Sequence, residues 1–452
     1  MRKLSTFINS KGVLFLIIQC LFLSASLFAQ QTTIKDYVLF SGSVRLGSFS
    51  NIQGGSVGGH LLVRSTGRVT INANIFSGGT VNLAHSNKVT GRITAANTPA
   101  LPGPALIVGS GAILGGNIDV NGNIFIGGGT VSGRVTHPSS TSYFGPVPGG
   151  GNVTGLPQLP DLPPMPAITN FPACPPISDI RSTRTIRPGK YGQIKLQGNN
   201  TLTFSGTGAY VFDKIDNKGG FNYFILDFKN SATGTFKIYV HKDADLGKII
   251  VKMVNGGSAS RIFTEIHGNG TTCSNRTWSF NIDNGPSENW SSKWLGTVWA
   301  PYGAINIGSG YGNSKITGAL WSRTQVNIQC GAKIIYEPYG ECSTPDVNAG
   351  PDKPLDFEHP VTLNGSSSTS GASFSWQAIN GGMISSPANA ASITVTTAGT
   401  YILTVTSTTS CSATDTAIVT SKTNNIIGAE LQSVIQNFDP NDPPTDFFVL
   451  QH

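Results

Sequence analysis

Between Trp294 and Tyr336 apolar and polar residues alternate in short runs, as in Ile305-Asn306-Ile307 and Val326-Asn327-Ile328, and glycines separate the runs. Alternation at period two predicts brief strands, each ending in a tight corner, and no helical period fits this stretch. Many short strands without helices between them bury their alternate Val and Ile side chains most economically by stacking coil on coil. The pattern therefore predicts an all-β chain built on a parallel β-solenoid, its interior a ladder of aliphatics. Strand-like runs of the same kind recur from Tyr191 to Ile266, among them Leu202-Thr203-Phe204, Tyr210-Val211-Phe212 and the runs 236–240 and 249–254.

The first part of the chain repeats itself. Asn72-Ala73-Asn74-Ile75-Phe76-Ser77-Gly78-Gly79 returns 49 residues later as Asn121-Gly122-Asn123-Ile124-Phe125-Ile126-Gly127-Gly128. Val89-Thr90-Gly91-Arg92-Ile93-Thr94 returns after 42 residues as Val131-Ser132-Gly133-Arg134-Val135-Thr136. Unequal offsets are the mark of stacked repeats whose insertions fall in corners. Arg92 and Arg134 occupy equivalent places, and both are expected to face solvent and discourage unwanted strand pairing. Residues 144–176 change character, with proline too dense for central strands. That segment is expected to run extended, along the solenoid or across between its parts; the alternative is a docking motif for a partner.

The pattern Gly296-Thr297-Val298-Trp299-Ala300-Pro301-Tyr302-Gly303-Ala304-Ile305-Asn306-Ile307, then Ile316-Thr317-Gly318-Ala319-Leu320-Trp321-Ser322 and Gln325-Val326-Asn327-Ile328, resembles the closing coils of the choice-of-anchor A adhesive domains of bacterial surface proteins. Gly208-Ala209-Tyr210-Val211-Phe212 resembles the middle of that family and 37–59 its opening. The resemblance covers about 31–340 and implies a β-helical fold and a surface location, without a catalytic signature. Further on, Asn348-Ala349-Gly350-Pro351-Asp352, Phe374-Ser375-Trp376 and the run Gly399 to Thr406 followed by Cys411-Ser412-Ala413-Thr414-Asp415 resemble the PKD-like, immunoglobulin-like sandwich modules of Bacteroidetes surface proteins. Short alternating strands around a buried Trp376 are also what a sandwich of this size needs on its own account. The expected layout is a leader at 1–29, the solenoid at 30–340, the sandwich at 341–422 and a linker at 423–452. Pro444 to Gln451 looks like the lead-in to a type IX secretion sorting domain, whose Tyr-Pro-Asn-Pro segment does not follow.

Composition sharpens this picture. Charged residues are 12% and glycines number 55, which suits many corners and uncharged polar strand faces. Arg2, Lys3 and Lys11 precede an apolar run from Val13 to Phe28, so 1–29 reads as a secretory leader cleaved near Ala29, and Gln19 before Cys20 argues against lipidation. No other run is long and apolar enough for a transmembrane span. The formal charge of +7 is scattered without a basic run, so nucleic acid is not an expected partner. Of six cysteines, Cys20 leaves with the leader. Cys342 and Cys411 flank the sandwich and are expected to pair, closing a loop of about 70 residues worth roughly 4 kcal/mol of chain entropy. Cys330 follows Val326 and Ile328 at period two and is expected inside the solenoid, as a buried thiol or bonded to Cys273.

Candidate chemistry is sparse. The compact polar run is His241-Lys242-Asp243-Ala244-Asp245; as a strand it would put both carboxylates on one face, but Gly247 and the polarity predict a solvated corner. No metal, cofactor or phosphate motif is present in the pattern, and none is expected to bind; Asp439 to Pro444 lacks the closing Glu of a calcium loop. Five of six tryptophans fall between Trp278 and Trp321. Trp294, Trp299, Tyr302, Tyr311 and Trp321 are either a ligand platform on the outward face of the closing coils or a cap over the solenoid's open end. The resulting expectation is a secreted, surface-displayed adhesin-like protein that binds an extracellular glycan or matrix protein without catalysis. The rivals are a structural surface-layer or matrix component that self-associates, and a polysaccharide lyase or hydrolase on a β-helix.

Overall fold

Three ladders of parallel strands, one for each side of a triangular coil, make up the larger part of the computed structural model. Within residues 33–421 the structure describes all but 100–102, 175–178, 218, 270, 273–276, 284–290, 309–312, 341–344, 356–358 and 408–410. The strands join in one 31-stranded sheet, and helical geometry among the described residues is confined to two three-residue 3-10 turns, Ile34–Asp36 and Ala259–Arg261. Period two translates directly into burial: in Phe236–Val240 the residues Phe236, Ile238 and Val240 are buried while Lys237 and Tyr239 point outward. Stacking turns the inward positions into continuous columns. One runs Leu202, Phe224, Val251, Trp294, Ile316, Ile334, Ile52, Ile71, Val89, Leu114 and Val131, successive members in register, with Val251 and Trp294 one residue on from the paired Ile250 and Lys293. Its members are almost fully buried, and each stabilises the coil by roughly 1.5–3 kcal/mol through the apolar area removed from water.

That column also shows that the order of coils in space differs from their order in sequence. Ile334 of Lys333–Tyr336 is followed by Ile52 of Asn51–Ser65, and Leu39 and Phe40 of Tyr37–Leu46 lie in register with Leu320 and Trp321. The stack therefore begins near Arg184–Ile186, climbs to Lys333–Tyr336, continues without a break into the coil at 37–53, and ends at Tyr143–Phe144 and Asn152–Thr154. The coils from Trp294 to Tyr336 do not close the solenoid; they sit mid-stack with strands paired on both sides. A cap at that place is ruled out because there is no open end there to cover.

Since the chain reaches one end of the stack at Thr154 and resumes at the other near Ile180, the proline-rich segment must span its length. About a dozen rows at roughly 4.8 Å come to about 60 Å. Some 25 residues of extended chain at about 3.1 Å each reach about 78 Å. Residues 155–174 lie outside helix and strand and run along the outside of the stack as a strap.

The chain divides into two compact units, residues 1–343 and 344–452. In the second, Lys353–Leu355, Ser412–Ser421, Gly399–Thr406 and Ser373–Ile379 form one sheet, and Val361–Asn364 pairs with Ser392–Val395 in another. Trp376, Ile393, Val395, Tyr401, Leu403 and Val419 fill its core, so Trp376 is a core residue, as its period-two strand requires. The Tyr401 hydroxyl donates to the Thr397 carbonyl at 2.7 Å, tying the strand entry to its own loop. Cys411 is disulfide-bonded. Cys342, its expected partner, and Cys273 lie outside the described residues.

Candidate functional site

One outward row of the solenoid collects the residues that carry candidate chemistry. On adjacent strands, in register, it runs Tyr239, Glu265, Trp299, Trp321, Phe40, Gly58, Phe76, Thr94 and Asp119. Alternation does place Trp299 and Trp321 outward, yet their exposures are 0% and 3% because the strap lies over them. Leu162 and Met165 of the strap pack on a cluster of Tyr37, Phe40, Phe76, Trp299 and Trp321. The Trp321 indole donates to the Tyr37 carbonyl at 2.9 Å. Neither indole is an open platform. Trp294 differs again: it occupies an inward position, edge-on to Phe280 with ring centroids 5.4 Å apart. Of the expected platform only Tyr302 is exposed, at 46%; Tyr311 lies outside the described residues.

The strap's own residues explain how it seats. Leu159, Leu162, Met165, Ile168 and Phe171 recur at every third position. An extended polyproline chain has three residues per turn, so these side chains share one face. At one end Arg92 pairs with the buried Asp119 at 3.0 Å and donates to the Gln158 carbonyl. Arg92 is thus a clamp on the strap and not the solvent-facing guard expected from its place in the repeat, whereas Arg134 is exposed. At the other end the Thr169 amide donates to Glu265 Oε1 at 2.8 Å, and Phe171 stacks on Tyr239 with centroids 4.9 Å apart. Burial, with the nearby Glu265 carboxylate adding to it, pushes the Tyr239 hydroxyl up.

Where the strap leaves this row, a polar cleft of about 320 Å³ opens, lined by Lys214, His241, Lys242, Asp243, His267 and Asn269, among others. His267 Nε2 lies 2.8 Å from Glu265 Oε1, its ring packs 4.4 Å from Phe171, and Tyr302 stands edge-on to it at 5.3 Å. His241 Nε2 lies 3.0 Å from the Pro172 carbonyl, and Lys242 pairs with Asp213 at 3.0 Å. Glu265 is fully buried, and its Oε2 has no hydrogen-bond partner among the described residues. The run at 241–243 forms the expected corner, and Ala244–Asp245 is a two-residue strand. Asp243 faces the cleft, whereas Asp245 accepts from the Asn281 amide at 3.0 Å, so the two carboxylates do not act as a pair. The cleft offers two imidazoles, two ammonium groups, a carboxylate and an amide, with the Tyr302 ring beside it against His267, a set suited to sugar hydroxyls or a polar peptide.

Among the described residues no group of three or more His, Cys, Asp or Glu side chains could hold a metal ion. Cys330 falls in the turn after its strand, where the period-two count no longer applies; it is half-buried and carries a free thiol, so it is not bonded to Cys273. Cys174 is also free, and burial raises its thiol pKa.

Residues 349–421 match a family model described as a PKD domain. The PKD module is of a kind typical of extracellular proteins. No curated protein matches the chain, and no solved structure does. No helix among the described residues is long and apolar enough to cross a membrane.

Proposed function

We propose that the protein is an extracellular, adhesin-like binding protein that meets a glycan or matrix-protein ligand at the cleft beside Tyr302 and performs no chemistry on it. The observation that carries this reading is the PKD module at 349–421, joined in one chain to a rigid parallel stack. The cationic and then apolar pattern of residues 2–28 supports export, and the motifs at 296–328 support kinship with choice-of-anchor A adhesive domains. A stack whose backbone is already fixed loses little entropy when a ligand docks on it. Tyr302 supplies an exposed ring beside His267, and Lys214, Lys242 and Asn269 supply donors around it. Screening the full chain against glycan and matrix-protein arrays, alongside Tyr302→Ala, tests the reading. A hit that the variant loses supports it, and a blank array with reversible self-assembly favours the matrix-component alternative. His267, which lines the cleft and pairs with the buried Glu265, also favours a second reading, acid–base cleavage of a polysaccharide. Shortening of a polysaccharide chain that His267→Gln abolishes would establish that reading in place of the first.

A further inference from the structure

On another side of the coil, Arg45 lies in register with Asn327 on one neighbouring strand and with Arg64 on the other. Both arginines are exposed, and among the described residues neither side chain makes an ion pair or a hydrogen bond. Like charges on adjacent strands repel by about 1 kcal/mol even in water. Protection of a sheet edge does not account for them, because these rows are mid-stack: Arg45 sits between Asn327 and Arg64, and Arg64 between Arg45 and Asn82. With Thr66, Asn327 and Gln329 the two arginines line a concave cleft of about 240 Å³. It straddles the seam where the coil at 320–328 meets the coil at 37–46, so each side of the junction contributes one wall.

The amide wall is rigid. Asn327 donates to Asn306 at 2.8 Å, Gln329 to the same oxygen at 3.1 Å, Asn306 to Asn281 at 2.8 Å, and Asn281 to Asp245 at 3.0 Å. Two unpaired guanidinium forks beside a fixed polar wall form a receptor for planar or tetrahedral oxyanions. None of the residues lining the cleft is aromatic, so a base has nothing to stack on, which disfavours a nucleic acid. The geometry points to an anion-binding site at Arg45 and Arg64 that takes the carboxylate or sulfate groups of an acidic polysaccharide. It is separate from the cleft at Tyr302 and does not depend on it.

The full chain is titrated with polygalacturonate, dextran sulfate, uncharged dextran and a single-stranded oligonucleotide at physiological salt. Binding to one or both acidic polysaccharides, and not to dextran, is expected, and comparing the two tells carboxylate from sulfate. Arg45→Gln/Arg64→Gln should weaken that binding about tenfold or more and flatten its salt dependence, as the loss of two charge-assisted contacts requires. Arg134→Gln/Arg184→Gln, the same charge change at exposed positions away from the cleft, should not. Arg45→Lys/Arg64→Lys keeps the charge without the forks, and an intermediate affinity is expected from it whether or not the glutamine pair folds. Ligand should also slow alkylation of Cys330, which lines the cleft, and leave Cys174 unaffected. Equal losses in the two glutamine pairs, tighter binding of the oligonucleotide, or no binding to either acidic polymer would overturn the site. Tyr302→Ala should leave this binding unchanged, so failure of either cleft is read separately from the other.

Discussion

Single positions along the outward row are packed under the strap, and three residues in or beside it, Gly58, His60 and Trp299, have measurable consequences. A Cβ added at Gly58 would overlap the Phe40 and Tyr37 rings, which pack with centroids 4.7 Å apart under the strap. Gly58→Ala is expected to destabilise the solenoid by about 1–3 kcal/mol, the usual cost of overpacking, read as a lower denaturant midpoint with an unchanged slope. Two residues further along the same strand His60 is half-buried, its ring 5.0 Å from Phe40, and burial lowers its pKa from 6.5. The unfolded chain therefore takes up the proton first. This site costs the fold nothing above about pH 6.5 and removes stability as the pH falls below that value. Comparing melting temperatures at about pH 7.5 and about pH 5, His60→Gln should lose less on acidification than the parent. An identical drop in both proteins would mean that other groups dominate. Trp299→Ala follows from burial in the same way: it should cost about 3–5 kcal/mol of stability, and a variant that kept its stability while losing a ligand would restore the platform reading.

At the scale of elements, the strap decides which surface of the solenoid is available. Its Glu265 anchor is a fully buried carboxylate holding the Thr169 amide at 2.8 Å. A charge-assisted hydrogen bond of this kind is worth about 1.5–3 kcal/mol. Glu265→Ala is thus expected to loosen the strap and speed proteolytic nicking between 158 and 171 by about tenfold or more, with the strand content of the solenoid unchanged by circular dichroism. Equal nicking rates would mean that apolar seating by Leu162, Met165 and Phe171 suffices. Part of this element was legible in the residues: its proline density implied an extended chain running along the solenoid or across between its parts, while the seated face formed by Leu159, Leu162, Met165, Ile168 and Phe171 became apparent only with the fold. What it seats on was not legible. Period two identifies which residues of a strand face outward, but it carries no information on what covers them, and Trp321 meets Tyr37 across 284 positions of sequence. The same limit explains why Trp299 read as either a platform or an end cap; Cys330 was misplaced for a different reason, because its strand ends before it. The inward Val, Ile and Leu positions depend on the local pattern alone and were readable, as was Trp376 in the sandwich core, whereas Trp294, which takes an inward place in the same column, was not.

For the whole molecule, the seam between the coil at 320–336 and the coil at 37–53 makes the two halves of the solenoid partners that the chain joins only through the strap. Three parallel pairings cross the seam: Tyr37–Leu46 with Leu320–Ile328 along two of its segments, and Asn51–Ser65 with Lys333–Tyr336. Val44, Leu46 and Ile52 face Val326, Ile328 and Ile334 across it, all essentially buried. Burying six such side chains contributes on the order of 10 kcal/mol, more than a single connecting segment supplies by loop closure. A protease site placed in the strap near Ala167, which is exposed, should then yield two fragments that stay together after cleavage. The nicked solenoid is expected to elute as one 1:1 species and to separate only in denaturant, through a transition that has become concentration-dependent. Ile52→Asp, which puts a charge into the seam, should let the same nicked fragments part without denaturant. Dissociation of the nicked parent under native conditions would show that the strap, and not the seam, holds the halves together.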